Sequence, residues 1–170
     1  MYLLAQFFGL IALFLLVYSY QSKKKKRFLF LQLFSNIFYG LQYFLLNAFS
    51  AFGTNIIGIF RTFIFYNYSS KDKKNPTYWF VIFIFIYVII GIITYDSVLS
   101  LIPILVAFLY TYGTWQKDLK ITYIIGIIVA ILWIIFNTFI GAYVSTITSI
   151  IELIASIIGY KKIKKTTYIK

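Results

Sequence analysis

The sequence predicts an all-α, polytopic membrane protein: seven transmembrane helices forming two parallel three-helix repeats joined by a linker helix. Three observations carry this. First, the 170 residues are 62% hydrophobic and 12% charged, against about 25% charged in an average soluble domain. Such a surface cannot face water all round and belongs in a bilayer. Second, the apolar sequence divides into stretches near the ~20 residues that cross a hydrocarbon core. Third, 15 of the 16 basic residues fall in alternate connections between those stretches or in the C-terminal tail.

The spans are 3–20, 28–46, 49–67, 78–95, 98–115, 122–139 and 142–160. The first has neither a basic leader nor a small-residue cleavage site, so it reads as an uncleaved helix, not a signal peptide. It leads into the run Lys23, Lys24, Lys25, Lys26 and Arg27. Spans two and three are separated only by Asn47-Ala48, and without that break would form a helix of ~40 residues, so they read as a helical hairpin. Lys71, Lys73 and Lys74 follow. Span four, YWFVIFIFIYVIIGIITY, has almost no polar side chain and reads as a lipid-facing connector. Span five contains Pro103, which reads either as a hinge or as a residue of the first helical turn, where proline is tolerated. Lys117 and Lys120 precede span six, and Ile140-Gly141 forms the tight turn into span seven. The tail 161–170 is basic, with Lys161, Lys162, Lys164, Lys165 and Lys170.

With seven spans, all four basic regions lie on one side, and the opposite side carries only Asp96. The positive-inside rule then places the N-terminus outside and the C-terminus in the cytoplasm. A net charge of +12 in a soluble protein would suggest nucleic acid. Here the lysines read as topology determinants against anionic lipid headgroups, and no nucleic-acid partner is expected. The sequon-like Asn67-Tyr68-Ser69 falls on the cytoplasmic side and reads as chance.

A shift of about 91 residues relates the two ends of the chain. Tyr18-Ser19-Tyr20 falls near Tyr110-Thr111-Tyr112, the hairpin at Asn47 near Thr138, and Thr54, Gly58 and Arg61 on Ser145, Ser149 and Glu152. Repeat one is then 3–67, the linker helix 78–95 and repeat two 98–160. A three-helix unit ends on the side opposite to its start, so one extra span makes a second copy parallel to the first. Parallel repeats are one of the known transporter plans.

Residues three, four and seven apart share a helix face. Gln32, Asn36, Tyr43 and Asn47 form such a stripe, as do Gly126, Ala130, Trp133 and Asn137. Span seven aligns Ser145, Ser149, Glu152 and Ser156, with Thr148 beside them; span three aligns Thr54, Gly58 and Arg61, with Asn55 and Thr62 on a neighbouring line. Polar groups in hydrocarbon must find partners, so these stripes face the bundle interior. The serines and threonines read as helix-packing residues. Asn36, Gln42, Trp133 and Asn137 are candidates for a pocket, since amides and aromatic rings hold polar solutes.

Arg61 is the only base and Glu152 the only acid within a span. A charge near mid-span costs about 2.5–3.5 kcal/mol on insertion scales. Arg61 either snorkels toward the cytoplasm, against the lean of helical side chains, or meets Glu152 in a buried ion pair. If the two stand apart, they line a path for a zwitterionic or anionic solute. A protonated, neutral Glu152 is a third arrangement.

The run FLLNAFSAFGTNIIGIFRTFIF, after a first helix ending in a basic loop, resembles the YgjV family of bacterial inner-membrane proteins. The Arg61-Thr62 pair after a tight hairpin is the most specific part of that resemblance. It implies a bacterial cytoplasmic membrane and no particular substrate. It also places an acidic residue nearer Ser149, about one turn before Glu152, so it does not carry Glu152 over. The three-one-three plan is similar to that of the SWEET sugar transporters and PnuC vitamin transporters, a likeness of fold that does not give function. The Pro-Gln motifs of the wider PQ-loop group are absent: the first helix has no proline, and Pro103 is followed by Ile104.

The expected function is therefore a small-solute transporter or facilitator whose site lies between the repeats, lined by Asn36, Arg61, Trp133, Asn137 and Glu152. The alternative is a non-transporting structural or partner-binding protein with a dry interior and an Arg61–Glu152 clasp. Without histidine, cysteine or a second intramembrane carboxylate, acid–base chemistry has few groups to use. No enzyme, cofactor or metal is expected, and self-association is left open.

Overall fold

The computed structural model describes the backbone over residues 1–167 and side chains over 1–163. Seven α-helices follow in order among the described residues: α1 (Tyr2–Tyr20), α2 (Lys25–Leu45), α3 (Phe49–Ser70), α4 (Thr77–Ile93), α5 (Leu101–Trp115), α6 (Leu119–Phe139) and α7 (Tyr143–Thr167). Each begins and ends within a few residues of its expected span. Two differences are physical. The fifth span opens with a 3-10 turn, Val98–Ser100, so Pro103 is the third residue of α5; its missing N–H costs no intrahelical bond there. The tail expected from 161 continues α7 to Thr167. The Lys164 and Lys165 side chains and all of Lys170 lie outside the described residues.

Five helical segments are long and apolar enough to cross a membrane: Tyr2–Tyr20, Lys25–Leu45, Val98–Trp115, Leu119–Phe139 and Tyr143–Ile163. Thr77–Ile93 is apolar but has 17 residues, at the short end of the spanning range. Phe49–Ser70 has 22 residues, but its apolar run is diluted by the polar stripe that includes Thr54, Asn55, Arg61 and Thr62.

Within the bundle, α2 packs against both α1 and α3, and α6 against both α5 and α7. The two units meet where α1 lies on α7 and α3 on α5, which closes a ring of six helices. α4 rests on α3 and α5, with Val81, Phe85, Ile92 and Ile93 exposed. It is more than a connector, because Phe83 and Tyr87 are buried against the ring.

The two hairpins are built alike. Asn47 (φ 57°) and Gly141 (φ 70°) both adopt the left-handed conformation. Ala48 N–H donates to Tyr43 O at 3.0 Å and Ala142 N–H to Asn137 O at 2.9 Å, each capping the end of the preceding helix as in a Schellman turn. Just beyond, Thr54 donates to Ala51 O (3.0 Å) and Thr148 to Ser145 O (2.7 Å); Asn55 donates to Ala51 O and Ser149 to Ser145 O, both at 2.8 Å. The hairpins are spaced 94 positions apart, against the shift of about 91 expected from the sequence. Lys25 and Leu119 open helices of 21 residues each and lie 94 positions apart, as do Asn47 and Gly141. In that register Gly58, not Arg61, falls on Glu152, and Arg61 falls on Ala155.

Polarity is inverted relative to a soluble domain. Gln32, Asn55, Arg61, Asn137, Ser149 and Glu152 are buried, while Phe7, Phe14, Phe85, Ile92, Ile147 and Ile154 are exposed. This is the arrangement a lipid solvent imposes. Two apolar clusters fill the ring. Tyr20, Phe28, Phe65, Phe83 and Tyr123 belong to the one at the lysine-rich end. Tyr43, Ala51 and Phe136 form the other, near the hairpins.

Candidate functional site

A cavity lies between those clusters, with walls contributed by α1, α2, α3, α5, α6 and α7. Its volume is about 60 Å³. That is room for a few waters. Asn36, Arg61, Trp133, Asn137 and Glu152 all line it. The same helical spacing that put them on interior stripes thus brings them to one space.

Arg61 does not snorkel. It is 3% exposed, and its Nη1 donates to the Tyr87 hydroxyl on α4 (3.3 Å) and to Thr111 Oγ1 on α5 (3.2 Å). The guanidinium also lies over the Tyr110 ring, 5.3 Å from its centroid, a cation–π contact. These three groups fix the side chain without neutralising it. Nε is buried with no partner. Nη2 lies toward Asn36: a methyl added at Gly58 would sit 3.7 Å from Nη2 and 3.4 Å from Asn36 Nδ2. Asn36 itself donates to Thr62 Oγ1 (3.2 Å).

Glu152, 4% exposed, accepts a 2.8 Å hydrogen bond from the Tyr20 hydroxyl on α1. Tyr20 and Tyr110 share a second bond at 3.2 Å. When Tyr20 gives its one proton to the carboxylate, Tyr110 is the donor in that second bond. The expected direct ion pair is therefore absent. Arg61 and Glu152 stand on different walls, and the tyrosines bridge them. Helix register explains the separation, since Arg61 lies three residues, nearly one turn, beyond the position that corresponds to Glu152.

On the hairpin side, the Tyr43 hydroxyl donates to Asn137 Oδ1 (3.0 Å), and Asn137 Nδ2 donates to Ser149 Oγ (3.3 Å). Tyr43 stacks on Trp133, with centroids 5.5 Å apart and planes at 15°. Tyr39 stacks on Tyr43 in turn, at 6.2 Å and 22°. The result is a set of stacked aromatic faces that runs from α2 to α6.

Gln42 is not at the site. It is fully buried against Gly9 of α1, where a methyl would meet its Nε2 at 2.5 Å. The residues that sequence reasoning missed are tyrosines: Tyr20 and Tyr110, which bridge the charges, Tyr87, which orients Arg61, and Tyr39, which extends the stack. A chain with 16 tyrosines among 19 phenylalanines gives each one little individual signal. For Tyr87 a signal existed, as it is the polar tip inside the otherwise featureless fourth span.

The chain belongs to the Imp-YgjV family of bacterial inner membrane proteins, whose model matches residues 3–167. No curated protein and no solved structure matches it.

Proposed function

We propose that this member of the Imp-YgjV family is a non-enzymatic transporter or facilitator of a small polar solute, bound in the cavity between its two three-helix units. One observation carries the reading: a buried arginine and a buried glutamate line the same cavity without pairing. An unpaired intramembrane charge is costly and marks a functional site by default. The structural alternative expects an Arg61–Glu152 clasp, and that clasp is missing.

In this reading the two units are parallel repeats, and the apolar clusters around Tyr20, Phe28 and Phe65 and around Tyr43 and Phe136 act as closures on either side of the solute. The N-terminus is outside, the C-terminus cytoplasmic, and the lysine loops lie against anionic headgroups. The chain has no cysteine, so single cysteines serve directly as probes. Cysteine at Asp96 is expected to react with an impermeant maleimide from outside the cell; reaction only after the membrane is opened overturns the orientation. Cysteine at Asn36 is expected to react with a small water-borne thiol reagent in membranes. Complete protection there, beside normal reaction at Asp96, favours the structural alternative.

A further inference from the structure

We infer that the solute is a small zwitterion, with its carboxylate at Arg61 and its cationic nitrogen at Glu152 and the stacked aromatic faces. The inference rests on the transport reading and names its substrate class.

The cavity presents one guanidinium and one carboxyl group, each at least nine-tenths buried and each on a different wall. Their partners are hydroxyls: Tyr87 and Thr111 for Arg61, Tyr20 for Glu152. A hydroxyl orients a charge but does not cancel it. In a low-dielectric interior, leaving either charge without a counter-charge is costly. An anion would answer Arg61 and be repelled by Glu152; a cation would do the reverse. A zwitterion answers both and enters the membrane interior with no net charge.

The donors and acceptors are placed for this. Arg61 has its Nε without a partner, and Nη2 and Asn36 Nδ2 both approach Gly58, 3.7 and 3.4 Å from where its Cβ would stand, so donors suited to a carboxylate gather on that side. At the other end, Glu152 takes its one protein hydrogen bond on Oε1, which leaves Oε2 to accept from an ammonium. The stacked Tyr39, Tyr43 and Trp133 add the π-faces that attract a cationic nitrogen. Because the Tyr20–Tyr110 bridge separates the charges, the fitting ligand carries its own charges apart along a short chain. The small open volume limits its size.

The test uses the purified full chain in detergent, with binding followed by isothermal calorimetry and thermal stability. The zwitterion probes are glycine, β-alanine, 4-aminobutyrate and its trimethylammonium form. Butyrate and butylammonium are the single-charge isosteres. At least one zwitterion is expected to bind saturably, tenfold or more tighter than either isostere. In Glu152→Gln the advantage over butyrate should disappear while butyrate still binds. In Arg61→Gln the advantage over butylammonium should disappear. If Arg61→Gln fails to fold, Arg61→Lys keeps the charge and should retain the preference for zwitterions at reduced affinity. If butyrate or butylammonium binds as tightly as every zwitterion, the inference is overturned while a solute-binding cavity stands. If no probe of any charge binds, the inference is overturned and the cavity's role as a solute site falls with it.

Discussion

α3 and α7 leave identical hairpins and make the same side-chain bonds over their first turns, yet their charges do not correspond. In the 94-residue register Arg61 faces Ala155 in sequence, and Glu152 faces Gly58. Tyr43 and Asn137 also correspond, and they hydrogen-bond to each other across the interior. The two hairpins thus share a backbone geometry, while the groups that touch the cavity differ between the helices on either side of α4. Unit one supplies the cation, the amides of Gln32, Asn36 and Asn55 and two stacked tyrosines. Unit two supplies the acid, the amide of Asn137 and the indole. A site made of unlike halves suits a ligand with unlike ends.

The amides give the largest expected difference. Asn137 ties Tyr43 to Ser149, whereas Asn36 makes one bond, to Thr62. Asn137→Leu orphans the buried Tyr43 hydroxyl and is expected to cost about 2–3 kcal/mol, against about 1 kcal/mol for Asn36→Leu. Denaturant unfolding of the purified variants measures both. Equal losses would mean that the amides do equivalent work and would break the comparison.

Two glycines sharpen it next. A methyl at Gly126 on α6 would meet the Tyr20 hydroxyl at 2.8 Å, while at Gly58 on α3 the nearest atom is 3.4 Å away. Gly126→Ala pushes on the ring that holds Glu152 and is expected to destabilise by about 1–2 kcal/mol. Gly58→Ala should stay within about 0.5 kcal/mol, yet it crowds Arg61 and Asn36 and should impair ligand binding. Melting curves separate the two. A Gly126→Ala protein as stable as the parent would mean that Tyr20 is free to move, and the tyrosine bridge would lose its structural meaning.

The bridge itself ranks third. Tyr20→Phe removes the only hydrogen bond to Glu152 among the described residues and the partner of Tyr110, and is expected to cost about 1–2 kcal/mol. Tyr110→Phe keeps the ring beneath Arg61 and should cost about 0.5–1 kcal/mol. The reverse ranking in thermal unfolding would place the greater weight on Arg61's side of the bridge.

Much of this site was legible before any coordinates, for a physical reason. In a membrane interior polar residues are few, and helical periodicity alone sends them inward, so Asn36, Arg61, Trp133, Asn137 and Glu152 meet at one cavity. What periodicity does not carry is azimuth to within a turn. The sequence suggests similar depths for Arg61 and Glu152, and only the hairpin geometry at Asn47 and Gly141 shows that their positions along the two helices differ by three residues. Nor does it identify which of many tyrosines turns inward. Tyr20 and Tyr110 lie near helix ends, where an interfacial tyrosine is ordinary, and nothing local distinguishes a bridging ring from an anchoring one.

The smallest effect tests the frame. Asn47 and Gly141 hold nearly the same positive φ, a conformation that costs glycine little and asparagine only modestly. If the hairpins are equivalent, Asn47→Gly should be neutral or stabilise by a few tenths of a kcal/mol, and Gly141→Asn should destabilise by a similar amount. Gly141→Ala, without an amide to help, should cost about 1 kcal/mol. The double exchange, Asn47→Gly with Gly141→Asn, should then return close to the parent in thermal unfolding, because the two turns share no backbone hydrogen-bond partner. A double variant well below the sum of its singles would mean that the turns are coupled through α2 and α6. The division of labour between the units would then extend from the cavity into the frame that holds it.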